Sequence, residues 1–216
     1  MRWWLAMPFA AVVTVLAEPA DNVSVTADDA DVAGLLAARG DHDRAIRLYQ
    51  DLLSSADSLA VPVQVRRGLA TSLLMAGRPA EAASTLARAM QLFPEDAGLQ
   101  RVAAGLYSSQ GQYAQAIEHL ERAIALEPDQ ATDHGNLGGL YTNLGRYDEA
   151  EKALLHAVGL APEDAVVQRR LGGLYLKRHR YDDAVEHLTQ SARLEPMSQT
   201  TAYLLGQARE GMAEPE

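Results

Sequence analysis

The hydrophobic positions of this chain repeat with a period of 34 residues over most of its length. A proline marks the period in each copy, at Pro94, Pro128, Pro162 and Pro196. Within each copy, small and apolar residues are spaced three and four apart, which is the pattern of an amphipathic helix. The pattern occurs twice per copy with a turn between, so each copy is predicted to be a helix–turn–helix unit. Units of this kind bury their apolar faces against their neighbours and stack into an array.

A glycine separates the two predicted helices in most copies. Gly77, Gly111 and Gly145 hold this place, and glycine readily adopts the left-handed conformation that ends a helix. The fourth copy has His179 instead. If its turn keeps the same conformation, we expect a cost of about 1 kcal/mol, because a side chain is disfavoured there.

This pattern resembles the tetratricopeptide repeat. The resemblance is clearest in the third full copy, whose matching residues are Leu137, Gly138, Tyr141, Gly145, Tyr147, Ala150, Leu154, Ala157 and Pro162. The tryptophan that this family usually has near the start of the first helix is absent; Arg66, Gln100, His134 and Gln168 stand there. The resemblance implies an all-α, right-handed superhelical solenoid of about five repeats plus a C-terminal capping helix. It also implies that the first helices line a concave groove and the second helices form a convex back.

The chain is predicted to contain six segments. Residues 1–17 form a signal peptide, 18–27 a flexible acidic lead-in and 28–62 a degenerate first repeat. Residues 63–198 form four full repeats, 199–212 the capping helix and 213–216 an acidic tail.

The N-terminal segment favours export. Arg2 precedes an apolar run that ends in Val15-Leu16-Ala17, small residues of the kind that precede a signal peptidase site, with cleavage before Glu18. The run is shorter than the ~20 residues of a membrane-spanning helix, although a retained anchor is the alternative. The chain has no cysteine, which excludes a lipoprotein and disulfides, and its arginine far outnumbers its lysine, as in GC-rich bacteria. We therefore expect a periplasmic or secreted bacterial protein that has no membrane contact once the signal is removed.

Charge is divided between the two kinds of helix. The formal net charge of −10 argues against nucleic-acid binding, which needs basic faces. The predicted first helices of the four full repeats nevertheless carry more bases than the second helices, among them Arg67, Arg101, Arg169 and Lys177, whereas the second helices are mainly acidic. The family geometry then implies a positive groove and a negative back. The alternative is that these charged side chains are solvated surface residues with no binding role. Acidic residues are favoured at helix N-termini and basic residues at C-termini, which would explain part of the division.

Peptide-binding members of the family hold a ligand carboxylate with basic and asparagine side chains of adjacent first helices. By this resemblance, the candidate peptide-binding residues are Arg67, Arg101, Gly105, Asn136, Gly139, Asn143, Arg169, Gly173 and Lys177. The three glycines share one groove-facing position. Two explanations remain open for them: an open floor that a ligand backbone can approach, or close packing between neighbouring helices.

The sequence does not indicate catalysis, a metal site or a cofactor. It contains no phosphate-binding loop, dinucleotide motif or nucleophile elbow. Its histidines are scattered, and His119 and His187 are predicted to be solvated residues on outer helix faces.

The predicted function is therefore a non-catalytic adaptor whose groove binds an acidic or extended peptide segment of an envelope partner. One alternative is a structural scaffold that associates with itself as a homo-oligomer. A second is an accessory subunit of an envelope enzyme or assembly complex.

Overall fold

The computed structural model describes residues 27–55 and 61–213, and every regular element in these ranges is an α-helix. The predicted signal peptide and nearly all of the predicted lead-in lie outside the described residues. The helices are α1 (Ala27–Ala38), α2 (His42–Ser55), α3 (Val63–Met75), α4 (Pro79–Leu92), α5 (Ala97–Ser109), α6 (Tyr113–Leu126), α7 (Ala131–Asn143), α8 (Tyr147–Leu160), α9 (Ala165–Lys177), α10 (Tyr181–Leu194) and α11 (Gln199–Ala213).

Each odd-numbered helix up to α9 packs against the even-numbered helix that follows it, and each pair packs against the next. First helices also contact one another, α1 with α3, α3 with α5, α7 with α9 and α9 with α11. Helices α5 and α7 are joined by the ion pair of Arg101 and Asp133. Helix α11 packs on α10 and α9 and has no second helix of its own within the described residues. The predicted all-α solenoid of tetratricopeptide type is confirmed.

The turn inside each repeat is left-handed. Gly77, Gly111 and Gly145 have φ angles of 72–73°, and His179 adopts the same conformation with φ of 57°. The His179 Nδ1 atom lies 2.7 Å from the hydroxyl of Tyr181, so the side chain gains a hydrogen bond that offsets part of its backbone strain.

The core is built from the small and large residues that recur with the period. Ala150, Leu154 and Ala157 are fully buried on α8, and Leu154 packs against Gly138 of α7. A Cβ atom at Gly138 would lie 2.5 Å from Leu154 Cγ, which is too close for any side chain. Glycine at this position therefore sets the distance between the two helices of the repeat.

Buried polar residues occupy the place where the family usually has tryptophan. Gln168 is 5% exposed; its Nε2 atom donates to the carbonyl of Pro162, and its Oε1 atom lies 2.8 Å from His187 Nδ1. Gln100 pairs with His119 in the same way. These bonds tie the first helix of a repeat to its second helix.

The prediction that His119 and His187 are solvated is wrong. Both rings are partly buried, and they lie against Tyr107 and Tyr175, respectively. Burial lowers the pKa of His119, and the nearby Arg122 lowers it further. Burial also lowers the pKa of His187, against the opposing effect of Glu186 and Asp183.

Acidic residues of the second helices also join neighbouring repeats. The carboxylate of Glu151 on α8 lies 2.6 Å from Arg178 and 2.7 Å from Arg180, both just beyond α9. The Arg180 guanidinium covers the ring of Tyr175 at 4.2 Å and also pairs with Asp183. Part of the negative charge predicted for the back is therefore neutralised within the protein.

Candidate functional site

A groove with a volume of about 740 Å³ opens between α5, α7, α9 and α11. The first helices supply nearly all of its lining, as the repeat family implies. The predicted site residues that line it are Arg101, Gly105, Asn136, Gly139, Asn143, Arg169, Gly173 and Lys177. Arg67 is not part of this lining; its guanidinium lies over Gly98 at the start of α5, where a glycine leaves room for it.

The floor of the groove contains backbone without side chains. A Cβ atom added at Gly105 or Gly139 would meet no heavy atom within 4 Å, and one at Gly173 would meet only Leu204, at 3.9 Å. Close packing between helices therefore does not explain these three glycines, and the open-floor explanation remains. Each glycine destabilises its helix by about 1 kcal/mol relative to alanine. The open floor therefore lowers the stability of the fold and gives no packing in return.

Arg101 does not face the groove as a free cation. Its Nε atom lies 2.7 Å from the carboxylate of Asp133 on α7, and its Nη2 atom lies 2.6 Å from Glu127 at the end of α6. Asp133 is 2% exposed and would be an uncompensated buried charge without this arginine. Arg101 therefore stabilises the junction between two repeats.

Arg169 forms an ion pair equivalent to that of Arg101 with Glu127, but at a longer distance. Its Nη1 atom lies 3.6 Å from Glu195, which follows α10 at the place that Glu127 holds after α6. The carboxylate of Glu195 is half exposed, so this pair is accessible to solvent. Two of the predicted groove arginines thus already bind carboxylates of the chain itself.

Arg170 lines the groove and was not among the predicted site residues. Its guanidinium reaches across to α7, where its Nη1 atom lies 3.3 Å from the position that a Cβ atom of Gly135 would take. Within the described residues it makes no hydrogen bond and no ion pair. Burial lowers its pKa, the adjacent Arg169 lowers it further and Asp164 opposes both effects, and the guanidinium stays charged at physiological pH. The sequence could have identified Arg170 as a groove residue, because it holds the repeat position equivalent to Asn136.

Lys177 lies at the last turn of α9, and its exposed side chain also lines the groove. It makes no ion pair within the described part of the chain. Asn136 and Asn143 line the same groove from α7. The groove cations that form no ion pair within the described residues are therefore both on α9, and the two amides of α7 line the same groove.

No group of three or more histidine, aspartate or glutamate side chains within the described residues is arranged to hold a metal ion. None of the described helices combines the length and apolar character needed to cross a bilayer.

The sequence matches the family described as the cilia and flagella-associated protein 70 C-terminal domain, a tetratricopeptide repeat domain, over residues 13–214. The chain therefore belongs to this family of tetratricopeptide repeat domains. No curated protein sequence matches the chain.

Solved structures of repeat proteins share the fold. A chain of the anaphase-promoting complex hetero-tetramer Cut9–Hcn1 is 26% identical, with a TM-score of 0.72 over 82% of this chain and 34% of that one. This chain thus spans about a third of the length of that protein. The thermophilic repeat protein TTC0263 of Thermus thermophilus is 22% identical, with a TM-score of 0.68 over 87% of this chain and 98% of that chain. YrrB, described as a repeat protein with an unusual peptide-binding site, is 20% identical, with a TM-score of 0.62 over 82% of this chain and 90% of that chain.

The repeat fold suggests a protein–protein interaction adaptor. Proteins of this fold are typically non-catalytic scaffolds, and a protein or peptide is the partner that the fold implies.

Proposed function

We propose that this protein is a non-catalytic adaptor that binds an acidic or extended peptide segment of a partner protein in its groove. The observation that carries the proposal is the position of Arg170 and Lys177. Both are cations on the wall of an open groove, and neither forms an ion pair with a carboxylate among the described residues, although Asp164 acts on Arg170 from a longer distance. A cation that forms no ion pair within the protein contributes more binding free energy with a ligand carboxylate than a cation that is already paired.

The other groove arginines support the same ligand chemistry. Arg101 and Arg169 hold the carboxylates of Asp133, Glu127 and Glu195. The α9 cations share the groove with the amide side chains of Asn136 and Asn143, which can donate further hydrogen bonds to such a group. A bare backbone floor leaves space for an extended main chain to lie between them.

The partner is proposed to be a component of the cell envelope and the protein to act after export. The apolar N-terminal run with its small residues before Glu18 supports this part of the proposal. Mass spectrometry of the protein recovered from a periplasmic fraction tests it. A mature N-terminus at Glu18 is expected, whereas an intact Met1 in the membrane fraction would favour the anchored alternative.

Selection from a displayed library of random twelve-residue peptides tests the groove itself. We expect acidic sequences to be enriched on the wild-type protein and lost on an Arg170→Glu, Lys177→Glu double variant. Lys152→Glu, on the exposed face of α8, is the matched control for a change of charge, and circular dichroism checks that each variant is folded. Equal enrichment on the wild type and the double variant would exclude the groove as the binding site.

A further inference from the structure

The outer face of α1 is apolar and has no cover among the described residues. Helix α1 packs on α2 and α3, yet Val32 is 44% exposed and Leu35 is 62% exposed. These two residues stand eight and five places before the turn residue Gly40. In the four full repeats, the residues eight and five places before the turn are all buried: Leu69, Ser72, Ala103, Leu106, Leu137, Leu140, Leu171 and Leu174.

The arrangement of the repeats explains this difference. From α3 onward, each first helix packs against the second helix of the preceding repeat. No described helix precedes α1, so its two equivalent positions have nothing to pack against within the described residues. The outer face of α1 therefore has the residues of a helix-packing surface, and exposed apolar patches of this kind mark interaction sites.

The residues that directly precede α1 in the mature chain are too few to supply the helix that would cover it. Every second helix of the described repeats has 14 residues. With cleavage before Glu18, as proposed above, the segment 18–26 has nine residues, and Pro19 lies near its start. Its only large apolar side chains are Val23 and Val25. This step rests on the proposed site of cleavage and on no other part of the proposed function.

The charged residues beside the outer face of α1 make this face complementary to itself. Asp31 and Arg39 are exposed, and they lie four residues before and four residues after Leu35. Neither forms an ion pair within the described residues. When two copies of α1 lie antiparallel with Leu35 at the twofold axis, Asp31 of each copy is level with Arg39 of the other, about 6 Å from the axis along the helix. A parallel pair would instead place like charges together.

We propose that two copies of this protein form a dimer through the outer face of α1. The two helices pack antiparallel, Leu35 contacts its counterpart at the twofold axis, and Asp31 of each copy pairs with Arg39 of the other. Each helix is about 18 Å long, too short to bury the roughly 1,200 Å² or more of a stable interface, so we expect a weak dimer with a dissociation constant of about 10–100 µM. Such a dimer carries two grooves, which raises its affinity for a partner that presents two binding segments.

Sedimentation equilibrium of the protein recovered from the periplasmic fraction measures the dimer, over about 5–500 µM to bracket the expected dissociation constant. Leu35→Glu should abolish the dimer, because two carboxylates would meet at the axis. Leu155→Glu, at an exposed leucine of α8, is the matched control and should still dimerise. Circular dichroism checks that each variant is folded.

A single cysteine tests the antiparallel register, because the chain contains none of its own. With oxidised glutathione, Leu35→Cys should form a disulfide between two copies, since residues at the axis have Cα atoms within the limit of about 7 Å. Val32→Cys should not, because its two copies lie about 9 Å apart along the helices. Leu155→Cys on α8 measures the disulfide that forms by random collision.

Exchange of the two charges tests their pairing. Asp31→Arg and Arg39→Asp should each weaken the dimer about fivefold or more, because like charges then face each other twice. An equimolar mixture of the two variants should restore the dimer, because a mixed pair of α1 helices regains both attractive contacts. A mixture that associates no better than either variant alone would contradict the pairing.

A protein that stays monomeric at about 500 µM, well above the expected dissociation constant, would overturn the proposal. The introduced thiol of Leu35→Cys then identifies the cover. Slow reaction with a thiol reagent would assign it to residues of the same chain before α1, and rapid reaction would leave the face free for a different protein.

Equal dimerisation of Leu35→Glu and the wild type would place the interface elsewhere and would also overturn the proposal. The library selection separates this inference from the proposed function. A monomeric wild type that still selects acidic peptides leaves the proposed function standing, whereas a dimer that selects none refutes the proposed function alone.

Discussion

The Nε atom of Arg101 lies 2.7 Å from the carboxylate of Asp133, a side chain that is 2% exposed. The two residues belong to the first helices of successive repeats, α5 and α7. Because a buried carboxylate needs a partner, this arginine contributes to the stability of the solenoid before it can contribute to any binding site.

Arg101→Ala should therefore destabilise the protein by about 2–4 kcal/mol, because it leaves the carboxylate of Asp133 buried without its cation. Urea denaturation followed by circular dichroism measures the loss. Arg169→Ala is the control, since its partner Glu195 is exposed, and it should cost about 0–1 kcal/mol. Similar losses for the two variants would show that the burial of Asp133 does not govern the effect.

Glu195→Gln should strengthen the binding of an acidic peptide by about two- to fivefold, because it frees Arg169 from an exposed ion pair. Fluorescence anisotropy titration with a labelled acidic peptide recovered from the library selection measures the gain. Glu186→Gln on α10 changes the charge equally but frees no cation among the described residues. The prediction fails if the two variants bind the peptide with the same affinity.

Two adjacent glycines of α7 should respond to alanine in opposite ways. Gly139→Ala should stabilise the protein by about 0.5–1 kcal/mol, because the new Cβ meets open space and alanine favours a helix. Gly138→Ala should destabilise it by about 1–3 kcal/mol, because the Cβ would collide with Leu154. Thermal unfolding of both variants measures the difference, and two changes of the same sign would contradict the arrangement seen here.

Gly139→Leu addresses function rather than stability. The larger side chain should occupy the floor of the groove and weaken acidic-peptide binding while the helix remains folded. Gly159→Leu, at an exposed position on α8 where a Cβ also meets no neighbour, is the matched control. Unchanged binding by Gly139→Leu would show that the ligand does not approach the floor.

Stability should fall as the pH is lowered from about 7 to 5. Burial lowers the pKa of His119 and His187 in the folded state, so the unfolded chain binds more protons below the ordinary histidine value of about 6.5. The stability contributed by the two neutral histidines is fully present above the ordinary histidine pKa. It is lost as the pH falls through the lower pKa of the folded state. A double His119→Gln, His187→Gln variant should show a shallower fall in melting temperature, and an identical slope would rule out these histidines as its source.

His179→Gly should stabilise the protein by about 0.5–1 kcal/mol, because a φ angle of 57° disfavours a side chain. The gain is reduced by loss of the hydrogen bond between His179 and Tyr181. Gly145→Ala, at the equivalent turn, should have the opposite sign. Chemical denaturation measures both, and a destabilised His179→Gly variant would mean that the hydrogen bond outweighs the strain.

The sequence by itself determined the architecture of this protein. A 34-residue period requires one helix pair copied and stacked, because no single copy can bury its apolar face alone. The left-handed turns follow from Gly77, Gly111 and Gly145, and the lining of the groove by the first helices follows from the repeat family. Each of these features depends on contacts within one repeat or between neighbours at a fixed spacing, so the periodic pattern encodes them.

Only the tertiary structure decided which charged side chains are available to a ligand. Arg101, Arg169 and Arg170 all lie on first helices, and sequence spacing does not distinguish them by their partners. The fold places Asp133 against Arg101 and Glu195 against Arg169. It places the backbone of Gly135 against Arg170. It likewise buries His119 and His187 against glutamines that are distant in sequence. Side-chain pairing depends on distances of a few ångströms between different helices, and a hydrophobic period does not specify those distances.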